Sequence, residues 1–253
     1  MLKTLMEIFN LPPKARMQKR MPKNTFYRNA EFSKQEVKTF VDKIQSIQVI
    51  AILNSGSLRV APFVNEDYNI SDIAYLLVEL KDKGQEEKVA HIIHTAIPYP
   101  LLIIFCYRQQ VRFSTALKRL NKNDPTSVVL GDINISPWVD PIYPLPVQKA
   151  FLDSLALKTL PFDNLYRLYL ALDNRIYLTG VIDLIGVYPS PEVNVNEVQE
   201  MLNKIDELEK TINTLNTAMK RETSFAYKME HHVQIQQLQQ QLDALITQLS
   251  EVC

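Results

Sequence analysis

Residues 198–252 carry the feature that most restricts the fold of this chain. Val198, Met201, Ile205, Leu208, Ile212, Leu215 and Met219 recur at alternating steps of three and four, and Ile235, Leu238, Leu242, Leu245, Leu249 and Val252 repeat the pattern. Such heptad stripes commit a chain to helices that bury one seam against another helix. The second stripe is out of phase with the first by two residues, and the intervening KRETSFAYKMEHH lacks the apolar repeat. Two arms of nearly equal length joined there predict an antiparallel helical hairpin, a short coiled coil over residues 196–253. With no Gly or Pro at the junction, one long helix with a phase slip is the alternative. In either case Ile205, Leu208, Ile212, Leu215, Leu238, Leu242, Leu245 and Leu249 are the expected helix-contact residues, facing the other arm, a second copy or a partner protein.

The rest of the chain alternates helical and strand periods. Ser33 with Glu36 three residues on reads as a capping box before Val37, Phe40, Val41 and Ile44 at helical spacing. IQVIAILN (47–54) then reads as a buried strand, and Asn54–Ser57 as a turn. Leu58–Val64 is an edge-strand candidate because of Pro62. In Ile73–Lys81 the even positions Ala74, Leu76, Val78 and Leu80 are apolar, while Tyr75, Leu77, Glu79 and Lys81 occupy the other face. Gln85–Ile97 reads as a helix stopped by Pro98 and Pro100. Leu101–Tyr107 with 108–118 forms a hairpin, and 127–136 a further strand. This order predicts an α+β fold, a mixed core of about five strands with two helices over 31–145. A basic strap (1–30) precedes it, and short helices (146–190), built on residues such as Phe151, Leu165, Tyr169 and Leu170, follow the proline-rich PWVDPIYPLP. PSPEVNVNE (189–197) closes the globular part.

Lysines plus arginines equal aspartates plus glutamates at 28 each, so an anionic partner must be met by a local patch rather than by net charge. The strongest local bias is at the start, where Lys3, Lys14, Arg16, Lys19, Arg20, Lys23 and Arg28 face the single acid Glu7. With Phe26 and Tyr27 among them, Lys14, Arg16, Lys19, Arg20, Lys23 and Arg28 are candidate contacts to nucleic acid or a partner. The plainer reading is a strap held down by Phe9, Leu11, Phe26 and Tyr27, its charges solvated. No apolar run reaches membrane-spanning length, and the first apolar stretch lacks the form of a signal peptide. Cys106 in an apolar run and Cys253 at the end do not make a disulfide framework. These features together predict a cytoplasmic protein.

Glu79-Leu80-Lys81 is the one candidate for catalysis. In restriction-type nucleases a Glu and a Lys two positions apart on a strand hold Mg²⁺ and steady the attacking water, with an upstream Asp completing the shell. The helix–strand–strand–strand–helix–strand order around it matches that core, and Asp67 or Asp72 would supply the Asp. Both lie in the NEDYNISD loop, however, and strands leaving a core acquire charges in any case, so no catalytic assignment follows; no cofactor is expected unless the nuclease reading holds. His91 and His94 share a helical face without an evident third metal ligand and read as surface or boundary residues. Glycine-rich phosphate loops are absent.

Three segments resemble a known family. Lys19, Arg20, Pro22, Lys23, Phe26 and Tyr27 (K-R-x-P-K-x-x-F-Y), Ile97-Pro98, and the K-x-E-x-x-F-x-x-K-x-E pattern around Arg221 to Glu230 resemble the bacterial family of domain of unknown function 4391. His231 and His232 stand where that family's pattern has an Asn, and residues 172–195 differ from its usual members. The resemblance implies no activity and no catalytic residues. It implies proteins encoded beside helicases and DNA methyltransferases in restriction-like or phage-defence loci. The expected function is therefore an accessory or adaptor subunit that binds such a partner, with DNA contact and a homodimer through the hairpin as further expectations. The Mg²⁺-dependent nuclease is the alternative.

Overall fold

The computed structural model describes residues 1–28, 32–190 and 192–253, with the side chains of Arg28, Pro125 and Thr126 also left outside the description. Its elements run α1 (Leu2–Ile8), β1 (Arg16–Arg20), α2 (Asn24–Arg28), α3 (Lys34–Lys43), β2 (Ile44–Asn54), α4 (Ser55–Leu58), β3 (Phe63–Val64), β4 (Asn69–Ile70), β5 (Asp72–Leu80), α5 (Glu86–Ala96), β6 (Leu101–Tyr107), β7 (Gln110–Asn121) and β8 (Asp124–Ile135). Then follow α6 (Pro146–Ser154), α7 (Leu165–Tyr177), α8 (Ile182–Ile185), α9 (Val195–Arg221) and α10 (Phe225–Val252). The fold is α+β. Residues 1–180 and 181–253 form two compact units.

The first unit is built on a six-stranded sheet in the order β1-β2-β5-β6-β7-β8. Every pairing is antiparallel except β5 with β6, which α5 connects in the crossover a parallel pair requires. Period two sorts the strand residues between two faces. Ile47, Val49, Ala74, Leu76, Val78, Ile103 and Phe105 meet Phe26 of α2, Phe40 of α3 and Val89, Ile92 and Ile93 of α5. On the other face Phe9 packs edge-on against Tyr75 and Phe113, and Phe113 against Phe151 of α6. From α7, the Tyr169 hydroxyl lies 2.8 Å from the Leu101 carbonyl and accepts from the Ala116 amide at 3.2 Å. It thereby joins β6 to β7 at the bulge where Leu117 leaves the ladder. Gly131 faces this bulge, and a Cβ there would sit 3.1 Å from the Leu117 carbonyl oxygen.

Several expected elements form where their local signals place them. Ser33 caps α3 with the reciprocal Glu36 bond, β5 carries the expected alternation, and α5 ends before Pro98. Others differ. Leu58–Val64 is not an edge strand: Leu58 ends α4, Arg59 is left-handed at φ 58°, and only Phe63–Val64 pairs, with β4 in a two-residue ribbon. The basic strap contributes a sixth strand, β1, and within the expected helical segment α6 and α7 lie on the sheet's second face.

In the second unit a three-residue turn at Glu222–Ser224 breaks the helix, so α9 and α10 pack together as a helical pair. Val198, Met201, Ile205, Ile212, Leu242 and Leu249 are buried, and Leu208, Leu215, Leu238 and Leu245 half-buried. The two stripes face each other, which is why their phases need not match across the turn. Among the described residues no helix is long and apolar enough to cross a membrane.

Candidate functional site at the carboxyl end of the parallel strands

Glu79 stands near the end of β5, exposed, with Ser46 across on β2 and Cys106 across on β6. The Ser46 hydroxyl donates to its carboxylate at 3.0 Å. Burial, and after it the charge of Glu79, pushes the Cys106 thiol up, so it is held as a thiol and not as a nucleophile. Among the described residues no ion pair joins Glu79 to Lys81.

The candidate metal set is not assembled. Asp72 begins the same strand seven residues earlier, about 23 Å away at a strand's rise per residue, and accepts from Asn54 Nδ2 at 2.9 Å. Asp67 lies beyond it in the β3–β4 turn, where its carbonyl accepts from the Leu120 amide and its carboxylate is 3.7 Å from Lys122 Nζ. A loop that feeds a strand delivers its acids to the strand's start, whereas Glu79 sits at its finish. The positions that could complete a shell with Glu79 hold Ser46 and Cys106. Among the described residues no three His, Cys, Asp or Glu side chains are grouped to hold a metal ion.

What does converge here is positive charge. Hydrogen bonds from β1 bring Arg20 opposite Gln48 and lead the chain past Ile47 towards the start of β2, which lies beside the end of β5. Lys23 then donates to the Val41 carbonyl at 2.9 Å and to that of Ile44, so it caps the last turn of α3. Its ammonium is held below the usual lysine range, first by burial and then by Lys81, with Arg20 adding to the same side and Asp42 opposing. Lys43 pairs with Asp82 at 2.7 Å. Arg108, in the β6–β7 turn, and Lys83 complete the rim. Among the described residues Arg20, Lys23, Lys43, Lys81, Lys83 and Arg108 thus share one end of the sheet with Asp42, Glu79, Asp82 and Glu86. Such a rim can meet a polyanion.

The other sequence-flagged cations part company with it. Arg16 sits four residues before Arg20 on β1 and donates through its guanidinium to the Leu11 carbonyl at 2.7 and 2.8 Å, and Lys14 lies in the turn before it. Lys19 is exposed mid-strand, and the side chain of Arg28 lies outside the described residues. Phe9, Leu11 and Phe26 are fully buried, so the segment is held down as a strap as well as charged.

Two buried basic side chains escaped the sequence reading. His94 is fully buried, not a surface residue: its Nε2 is 3.2 Å from Ser114 Oγ, and burial, then Lys118, holds its pKa well below the ordinary value. The 90, 94, 97 spacing on α5 was the available signal, since Ala90 and Ile97 are buried on that stripe. Lys118 donates to the Ile97 and Tyr99 carbonyls at 2.5 and 2.9 Å, and burial pulls its pKa down to about 7. It caps the end of α5. Bulging at Leu117 turns it inward, which no strand alternation reveals.

A family model described as domain of unknown function (DUF4391) matches residues 9–242. The chain belongs to that family. No curated protein and no solved structure matches it. The DUF4391 match takes in the whole sheet, α9, the turn and much of α10. The turn of the helical pair is therefore part of the family domain, and it carries Phe225, Tyr227, Met229 and Val233 at 77, 59, 46 and 47% exposure. Phe225, Met229 and Val233 follow at i, i+4 and i+8, a stripe separate from the one that α9 covers.

Proposed function

We propose that this DUF4391 protein is an accessory subunit of a bacterial DNA-targeting assembly of the restriction-like or anti-phage kind. It docks a helicase or DNA methyltransferase and lays the basic rim of its first unit along DNA phosphates. The observation that carries this reading is the meeting of Arg20 and Lys23 with Lys81, some sixty residues away in the chain, at one end of a sheet in a protein of zero net charge. The rim's cations outnumber the acids beside them, and such a local excess of like charge is relieved by an anionic partner. The exposed Phe225, Tyr227 and Met229 support the docking half, because the heptad stripe already fills the seam between the helices and leaves these side chains without an internal role.

The Mg²⁺-dependent nuclease reading has less support, since Ser46 and Cys106 flank Glu79 where carboxylates would be needed.

The test is capture of tagged full-length protein from cells carrying its neighbouring genes, with and without DNase. The expected result is recovery of a helicase or methyltransferase whatever the DNase treatment, and its loss in a Phe225→Ala/Tyr227→Ala/Met229→Ala variant. Recovery of the protein alone, or retention by the variant, would sink the docking claim. A second copy is the competing occupant of the tip, and light scattering of the purified chain distinguishes the two.

A further inference from the structure

Beside the rim the two rings at the sheet's end are arranged around cations. The Lys83 ammonium lies 4.3 Å from the centroid of the Trp138 ring and 5.8 Å from that of Tyr107, and the Arg108 guanidinium is 5.2 Å from the Tyr107 centroid. Both rings are half-buried, and both cations are exposed. Trp138 is held from behind: its neighbour Val139 exchanges backbone bonds with Val111 at 2.8 and 2.9 Å, and Ser136 bonds to Phe113. Arg108 occupies the turn at φ 54°, a left-handed conformation that a glycine adopts without strain. This is the backbone geometry of a two-residue hairpin turn, and it sets the Arg108 guanidinium over Tyr107. Lys83 also donates to the Gln110 side-chain carbonyl, and the next amide, Gly84, donates to Glu86 Oε1 at 2.8 Å, so the exposed lysine leaves the indole by side-chain rotation that releases Gln110.

We propose that this cluster holds an unpaired base of a single-stranded nucleic acid. The base stacks on Trp138, Lys83 moves from the ring to the flanking phosphate, and Arg108 and Lys81 take the next phosphates. This rests on the reading of the rim as a nucleic-acid surface and names the strand that the rim selects. The chemistry favours the exchange, because a base stacked on an indole is held more strongly than an exposed lysine over the same ring, and the displaced ammonium trades the neutral Gln110 carbonyl for a charged phosphate. A duplex offers its phosphates to the rim but no free base face to Trp138.

Trp138 is the single tryptophan of the chain, so its fluorescence reports this cluster alone. The full-length protein is titrated with 12-nucleotide oligo(dT), oligo(U) and a duplex of the same length at fixed low salt. The expected result is quenching of Trp138 by the single strands and not by the duplex. A Trp138→Ala variant, followed by the anisotropy of a labelled oligonucleotide, is expected to weaken single-strand affinity by roughly tenfold while leaving duplex affinity unchanged; Lys83→Gln, at an exposed position, is expected to lower single-strand affinity without abolishing the quench. Binding of both forms with no quench, or equal losses for both, would overturn the stacking site while leaving the rim intact. Absence of binding to any of the three would overturn the rim reading and this proposal together. Comparison of oligo(dT) with oligo(U) identifies whether DNA or RNA is the source of the strand.

Discussion

His94 and Asp173 show how single residues set the pH behaviour of the first unit. Burial holds the His94 pKa below its ordinary value, so the native state binds the neutral ring. Its contribution is complete above pH 6.5 or so, the unfolded value, and is lost as pH falls below that. Asp173 on α7 runs the opposite way. Burial, only partly offset by Thr115 and Asn134, raises its pKa to about 6, so its contribution is greatest below the unfolded value of 3.8 and is lost as pH rises through 6. The two effects oppose each other between those limits, and variants separate them. Asp173→Asn is expected to raise stability by on the order of 1–3 kcal/mol at pH 7.5 and to have little effect near pH 4, measured by urea denaturation. His94→Leu is expected to flatten the loss of stability between pH 6.5 and 5, and an unchanged slope would refute the assignment.

At the scale of elements, legibility in the sequence followed how local the cause was. The α3 cap needs only Ser33 and Glu36, and β5 needs only its own alternation, so both are readable. β1 is not, because RMQKR has no alternating apolar face; it pairs as an edge strand beside β2, and its charges suit an edge that must not recruit another strand. Leu58–Val64 failed for the converse reason, since β-forming side chains cannot override the Asn54 cap and the left-handed Arg59. The E-x-K pair was legible as residues and illegible as a site, because its acids enter from the far end of β5 and only the sheet register reveals it. The rim was half-legible: Arg20 and Lys23 stood out as part of a basic run, but their approach to Lys81 depends on that unforeseen strand. For the helical pair the heptads determine the seam, and the prediction belongs there. Ile212→Asp in α9 is expected to open the pair at a cost of about 3 kcal/mol or more. Hydrogen exchange should then quicken across α9 and α10 and leave the β5 and β6 amides protected. Loss of protection in the sheet as well would show that the two units do not fold separately.

For the whole molecule, equal numbers of acids and bases mean that any attraction to nucleic acid comes from where the charges lie. On the proposed reading that attraction lies at the carboxyl end of β5 and β6, while Lys14 and Arg16, equally basic in sequence, lie away from it. The most direct measurement is duplex affinity as a function of salt for the wild type and for two double variants, Arg20→Ala/Lys81→Ala and Lys3→Ala/Lys14→Ala. The first pair is expected to weaken binding and lower the slope of log K against log salt by about 2, one for each phosphate contact removed, while the second leaves both unchanged. Equal losses for the two pairs, or no loss for Arg20 and Lys81, would contradict it.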